Sequence, residues 1–211
     1  MYPDRCTIIF RTLGIWGLPP DFVCLEYIKN LICVNKIDTV IDYGAGMGLW
    51  SKILSDYLNM PEINVIAYDI KSPVDNNEIN RQKGMYFVTK EIELEKYINS
   101  LLMLVWPTRM SRMAEIALEK FKGSYVLYYG DLSKTLKIEY YTGNDRFHEM
   151  LKTNWDMIQV IEPLNVLMDE NGEYKDKIYM FKRKCMDIIL NDADLKVLQS
   201  AHAQVLSEQK I

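Results

Sequence analysis

Four residues near the start of the chain have the types and spacing for binding chemistry. Asp42 is followed by Gly44, Gly46 and Gly48 in the run Thr39-Val-Ile-Asp-Tyr-Gly-Ala-Gly-Met-Gly-Leu-Trp50. Glycines at alternate positions, with Ala45 between the first two, leave bare backbone that a ligand can approach closely. The helix-like run after them, Leu49 to Leu54, brings the unpaired N–H groups of a helix start, which favour negative charge. A second carboxylate, Asp69, closes the apolar run Ile63-Asn-Val-Ile-Ala-Tyr-Asp69, and Ile70 follows it. Two more apolar runs end in residues capable of contact or proton chemistry: Trp106-Pro107 after Ser100-Leu-Leu-Met-Leu-Val, and Gly130-Asp131 after Ser124-Tyr-Val-Leu-Tyr-Tyr. Whether these points meet depends on the elements that carry them.

Thr39–Ile41, Ile63–Asp69, Met85–Thr89, Ser100–Val105 and Ser124–Tyr129 are short apolar runs, the form taken by strands buried on both faces. Helical spacing lies between them. Pro19-Pro20-Asp21 opens a helix with apolar Phe22, Val23, Leu25, Ile28, Leu31 and Ile32, and proline is tolerated at such a start. Residues 49–58 carry a second helix and residues 111–122 a third, closed by Gly123. Residues 144–154 carry a fourth, with Phe147, Met150 and Leu151 on one face. The β-prone runs Trp155–Leu164 and Lys177–Arg183 flank Asn171-Gly172, a hairpin turn signal. Beyond Cys185 a helical stripe runs through Leu195, Leu198, Ala201, Val205 and Leu206.

Alternating strands and helices followed by a hairpin predict an α/β fold. The sheet is expected to be doubly wound, seven-stranded and mostly parallel, with helices on both faces and one antiparallel C-terminal hairpin strand at the edge. In such sheets ligands sit outside the carboxyl ends of the strands, which is where Asp42, Asp69, Trp106-Pro107 and Gly130-Asp131 fall. One domain is expected over residues 1–184, with residues 1–36 as an N-terminal lid and helix. Trp16 and Pro19 read equally well there as a packed lid edge and as ligand contacts. Residues 185–211 read as a helical extension packing on the domain or on a partner, which would allow a helix-mediated oligomer.

The bulk numbers exclude some classes. The chain has 211 residues, 49% of them hydrophobic and 26% charged, an ordinary globular balance. A net charge of −4 gives no reason to expect nucleic acid as a partner. Arg109 and Arg112 lie close together but read first as a solvated surface. The four cysteines form no Cys-x-x-Cys pair and the two histidines no ligand cluster, so neither metal nor disulfide framework is expected. His148, inside a helix, reads as a surface or core residue before a catalytic one. No run reaches the roughly 18 apolar residues of a membrane span, nor does the N-terminus have a secretory core. A cytoplasmic, membrane-free protein is expected.

A dinucleotide fingerprint requires glycine three positions after Gly46, and Leu49 stands there. The acidic-x-Gly-x-Gly-x-Gly spacing instead resembles the first motif of class I S-adenosylmethionine-dependent methyltransferases. Asp69, at the end of the second strand, is similar to their second motif, and with the terminal hairpin the resemblance covers roughly residues 15–184. It implies a Rossmann-like fold, S-adenosylmethionine as cofactor and a small-molecule or protein acceptor. It also implies a set of cofactor contacts. Gly44, Ala45, Gly46 and Gly48 pass the methionine part, Asp42 meets its amino group, Asp69 takes the ribose hydroxyls and Ile70 packs on the adenine. Trp106 and Pro107 are further candidates for cofactor contact, with Trp106 either walling the cofactor or stacking on an aromatic acceptor.

The segments Gly14-Ile-Trp-Gly-Leu-Pro, Leu-Val-Trp106-Pro107 and Val-Leu-Tyr-Tyr-Gly130-Asp131 look like a little-characterised branch of methyltransferase-like proteins. Val105-Trp106-Pro107-Thr108 departs from the Asn/Asp-Pro-Pro-aromatic motif of enzymes that methylate exocyclic amines, which disfavours base methylation by that route. Catalytic residues are not identified. Asp131 is the available acceptor or weak base, and serves equally as a turn cap. Trp106 reads as a stacking surface or as a core aromatic. The alternatives are a cofactor-binding module without turnover and, from another class, a dinucleotide-dependent enzyme.

Overall fold

The computed structural model describes residues 20–70, 88–132, 142–162 and 176–184. Among these residues four α-helices, α1 (Phe22–Asn35), α2 (Leu49–Leu58), α3 (Met113–Lys120) and α4 (Asp145–Asn154), pack on seven strands. The strands are β1 (Thr39–Tyr43), β2 (Asn64–Tyr68), β3 (Val88–Thr89), β4 (Ser100–Val105), β5 (Tyr125–Gly130), β6 (Trp155–Ile161) and β7 (Lys177–Arg183). They form one sheet in the order β3-β2-β1-β4-β5-β7-β6. Pairings from β3 through β5 are parallel, and β7 runs antiparallel to both β5 and β6.

Strand alternation divides the core into two layers. On one face Val40, Leu101, Met103, Leu127 and Met180 meet Leu25, Ile28 and Ile32 of α1 and Trp50 and Leu54 of α2. On the other, Ile41, Leu102, Leu104, Val126 and Phe181 meet Ala117 and Leu118 of α3 and Phe147 and Leu151 of α4. Every residue of β1, β4 and β5 is buried, which explains their near-continuous apolar sequences. The doubly wound sheet with helices on both faces is therefore the one expected.

Two details differ from expectation. The antiparallel strand β7 lies one place in from the edge, and β6 takes the edge. Only β7 has the unbroken central apolar run, Ile178 to Phe181, that burial there requires, whereas β6 is exposed from Asp156 to Val160. Gly123 does not close α3, because the chain is already extended at Phe121. The third strand is present at Val88–Thr89, where the described residues resume. Trp16, Pro19, residues 85–87, the Asn171-Gly172 turn and the stripe from Leu195 to Leu206 lie outside the described residues.

Local signals set the helix starts. Asp21, extended, accepts the Cys24 N–H at 2.8 Å and caps α1. Asn144 does the same for α4 through the Phe147 N–H, also at 2.8 Å. Gly48, left-handed at φ 77°, turns the chain into α2 without a side-chain cap.

Candidate functional site

The strand order reverses direction between β1 and β4, the position where doubly wound sheets open a crevice. A cleft does lie there, lined by Asp42, Gly44, Ala45, Met47, Leu49, Trp50 and Val105. Its rim is the glycine turn. Gly44, Gly46 and Gly48 have φ of 86°, 57° and 77°, a region that side chains avoid, so the alternate glycines are a backbone requirement. The N–H groups of Gly44 and Ala45 both donate to the Tyr68 carbonyl, at 2.8 and 2.9 Å, fixing the turn on the end of β2. Asp69 adds a third tie, its Oδ2 accepting the Gly46 N–H at 2.9 Å.

Asp42 lies beneath this turn at 1% exposure. Its Oδ2 accepts the Ser51 hydroxyl at 2.8 Å, while Oδ1 is buried with no hydrogen-bond partner. Such an orphaned acceptor costs about 1–3 kcal/mol unless something donates to it. Burial above all pushes the Asp42 carboxyl up to about 7; the Ser51 bonds oppose this and the Asp69 charge adds to it. Gly44 is also closely covered, since a Cβ there would stand 2.5 Å from the Met113 sulfur.

A second polar group sits at the ends of β4, β5 and β7. Trp106 directly follows β4 at φ 51°, its N–H donating to the Tyr129 carbonyl at 2.8 Å. Its indole Nε1 donates to Asp176 Oδ2 at 2.9 Å. Burial above all pushes Asp176 up to about 6, opposed by the indole bond and aided by the charge of Asp131. Asp131 is itself buried, its N–H donating to the Thr142 hydroxyl at 3.0 Å. Pro107 is buried, and its carbonyl takes the Gly143 N–H at 2.7 Å.

Of the predicted residues, Asp42, Gly44 and Ala45 line the cleft; Gly46 and Gly48 continue the turn, Asp69 is tied to Gly46, and Ile70 is exposed at 73% just past Asp69. Trp106, Pro107 and Asp131 share the same sheet end, one and two strands along. His148 is not part of this group. It packs edge-on to Tyr128 and Phe147, and its Nε2 lies 2.7 Å from the Thr142 carbonyl oxygen. Tyr128 and Tyr129 fall on opposite faces of the sheet, as alternation predicts. Sequence reasoning missed Ser51, Met113 and Asp176. A serine in the first turn of an amphipathic helix was a faint signal for Ser51, and no local signal marked the other two.

No protein-family model matches the chain, and no curated protein matches it. Solved structures do. Thermoplasma acidophilum 1320 aligns at 17% identity and a TM-score of 0.47, over 87% of this chain and 100% of that one. A putative O-methyltransferase from Klebsiella pneumoniae aligns at 9% identity and 0.49, over 87% and 92%. An O-methyltransferase from Bacillus cereus, in complex with SAH, aligns at 12% and 0.49, over 87% and 93%. The fold assignment rests on the sheet order itself.

Proposed function

We propose that the chain binds S-adenosylmethionine in the cleft between β1 and β4 and transfers its methyl group to a small-molecule or protein acceptor. One observation carries this reading: the unpartnered Oδ1 of buried Asp42 beneath a cradle of left-handed glycines. A buried carboxylate oxygen without a donor suits an ammonium group, and a cradle without side chains suits a chain lying against backbone. The residues present therefore fit the cofactor that the sequence resemblance implies.

In this reading Asp42 holds the amino group and Gly44 to Gly48 pass beside the methionine part. Asp69 keeps the turn in place through Gly46 while its carboxylate, which has about four acceptor positions, takes the ribose hydroxyls. Ile70 covers the adenine, and Trp106-Pro107 closes the side toward β5. The cofactor supplies an electrophilic methyl on a sulfonium; the protein's part is to set an acceptor in line and exclude water. Asp131 is the group proposed to take the proton the acceptor loses.

A second reading has its own observation. The indole of Trp106 is turned to Asp176, and the segment after β4 offers no amide or carboxylate to hold an amine. That suits a module that binds the cofactor without turnover. We also propose that residues 185–211 pack on this domain or on a partner, and that the protein works in the cytoplasm. A monomeric product of unchanged stability on truncation after Lys184 would contradict the packing role.

Thermal unfolding with S-adenosylmethionine and with NAD tests the cofactor. A ligand at about 100 times its Kd stabilises a protein by about 2.7 kcal/mol, a readily measured shift. We expect the shift with S-adenosylmethionine alone; a shift with NAD alone would overturn the reading. Methyl transfer to any member of an acceptor panel would then exclude the module.

A further inference from the structure

Trp106 has backbone geometry that favours glycine. Among the described residues, the other non-glycine positions at positive φ are Lys36 and Asn59, which end α1 and α2. Left-handed residues are common at helix ends. Trp106 ends no helix. It stands where β4 leaves the sheet, and a bulky residue at φ 51° there is strained. Something must hold it.

Trp106 packs against the core layer under α1 and α2. Its main-chain N–H is still paired with Tyr129, and Pro107 behind it is pinned through Gly143. The side chain is secured by Asp176, which stands just before β7 and 70 residues away in sequence. Because β7 inserts beside β5, that carboxylate reaches the ring across the end of the intervening strand.

We propose that Asp176 is a positioning residue: its hydrogen bond to the Trp106 indole sets the ring and the strained turn that together wall the acceptor side of the cleft. The function of that wall rests on the methyl-transfer reading; the positioning itself does not.

Among the described residues, the groups facing Asp176 are Asp131 from the end of β5 and the Tyr128 and Tyr179 hydroxyls of β5 and β7. Lys177, next in β7, is paired outward with Glu162 at 2.7 Å. Burial and the Asp131 charge both favour the protonated form, and the carboxyl gains its proton near 6. Above that pH the ionised carboxylate holds the indole by a charge-assisted bond; below it the bond weakens and the ring loosens.

Tryptophan emission and acrylamide quenching of the full chain test this, with Trp106→Phe subtracted to remove the signals of Trp16, Trp50 and Trp155. The difference signal should show a pH transition near 6. Asp176→Asn, which keeps an acceptor but cannot ionise, should lose that transition. Asp176→Ala should shift the emission red and raise quenching. A transition that survives in Asp176→Asn would overturn the proposal, as would wild-type emission in a folded Asp176→Ala protein. If Asp176→Ala does not fold, Asp176→Asn decides alone. Calorimetry of the wild type with S-adenosylhomocysteine, run beside it, judges the methyl-transfer reading separately.

Discussion

A carboxylate sealed beneath the glycine turn, as Asp42 is, holds its proton more tightly in the folded chain than in the unfolded one. Its folded value of about 7 compares with about 3.9 in an unfolded chain. The folded state therefore binds more protons between those values, and stability falls as pH rises through that window. Asp42→Asn should be the more stable protein at pH above about 7 and lose that advantage below about 4, read from thermal midpoints at each pH. A cationic ligand reverses the balance by favouring the ionised form. Affinity for S-adenosylhomocysteine should accordingly climb as pH rises through about 7 and then level, while Asp42→Asn binds more weakly without that slope. A flat wild-type profile would remove Asp42 from the site. Gly44 carries a different constraint. An alanine at φ 86° costs about 1–2 kcal/mol before any contact is counted. Met113 is flexible enough to yield, so Gly44→Ala with Met113→Ala should recover little of the stability lost by Gly44→Ala alone.

Elements place these residues, and their legibility differs for physical reasons. The turn after β1 and the carboxylate after β2 could be read directly, because a left-handed backbone demands glycine and the end of a buried strand is local in sequence. The caps of α1 and α4 were equally local. Asn144 also links elements, its side-chain amide donating to Glu115 of α3 at 2.9 Å while its oxygen caps α4. Asn144→Ala should therefore cost about 1–2 kcal/mol, seen as a lower denaturant midpoint at unchanged slope. Asp176 was not legible, because its partner Trp106 is brought to it only by insertion of β7 between β5 and β6. Hairpin chemistry predicts that two strands pair with each other; it does not say which of them enters the sheet. That choice follows from burial, since Ile178 to Phe181 can be covered on both faces and Asp156 to Val160 cannot.

At the scale of the molecule, two apolar layers hold a sheet whose carboxyl ends collect the polar groups. Helices α1 and α2 cover one face and α3 and α4 the other, so the crevice between β1 and β4 is bounded by rigid elements on both sides. Three hydrogen bonds hold the glycine turn on the end of β2. In the proposed reading Asp69 has two tasks, tethering the turn through Gly46 and taking the ribose, and both vanish in Asp69→Ala. Calorimetric titration of S-adenosylhomocysteine into the wild type and Asp69→Ala is therefore the most direct test. The wild type should bind saturably and the folded variant at least ~10-fold more weakly, about 1.4 kcal/mol. Equal affinity in the two proteins, or no binding by the wild type at millimolar ligand, would contradict the assignment of this cleft.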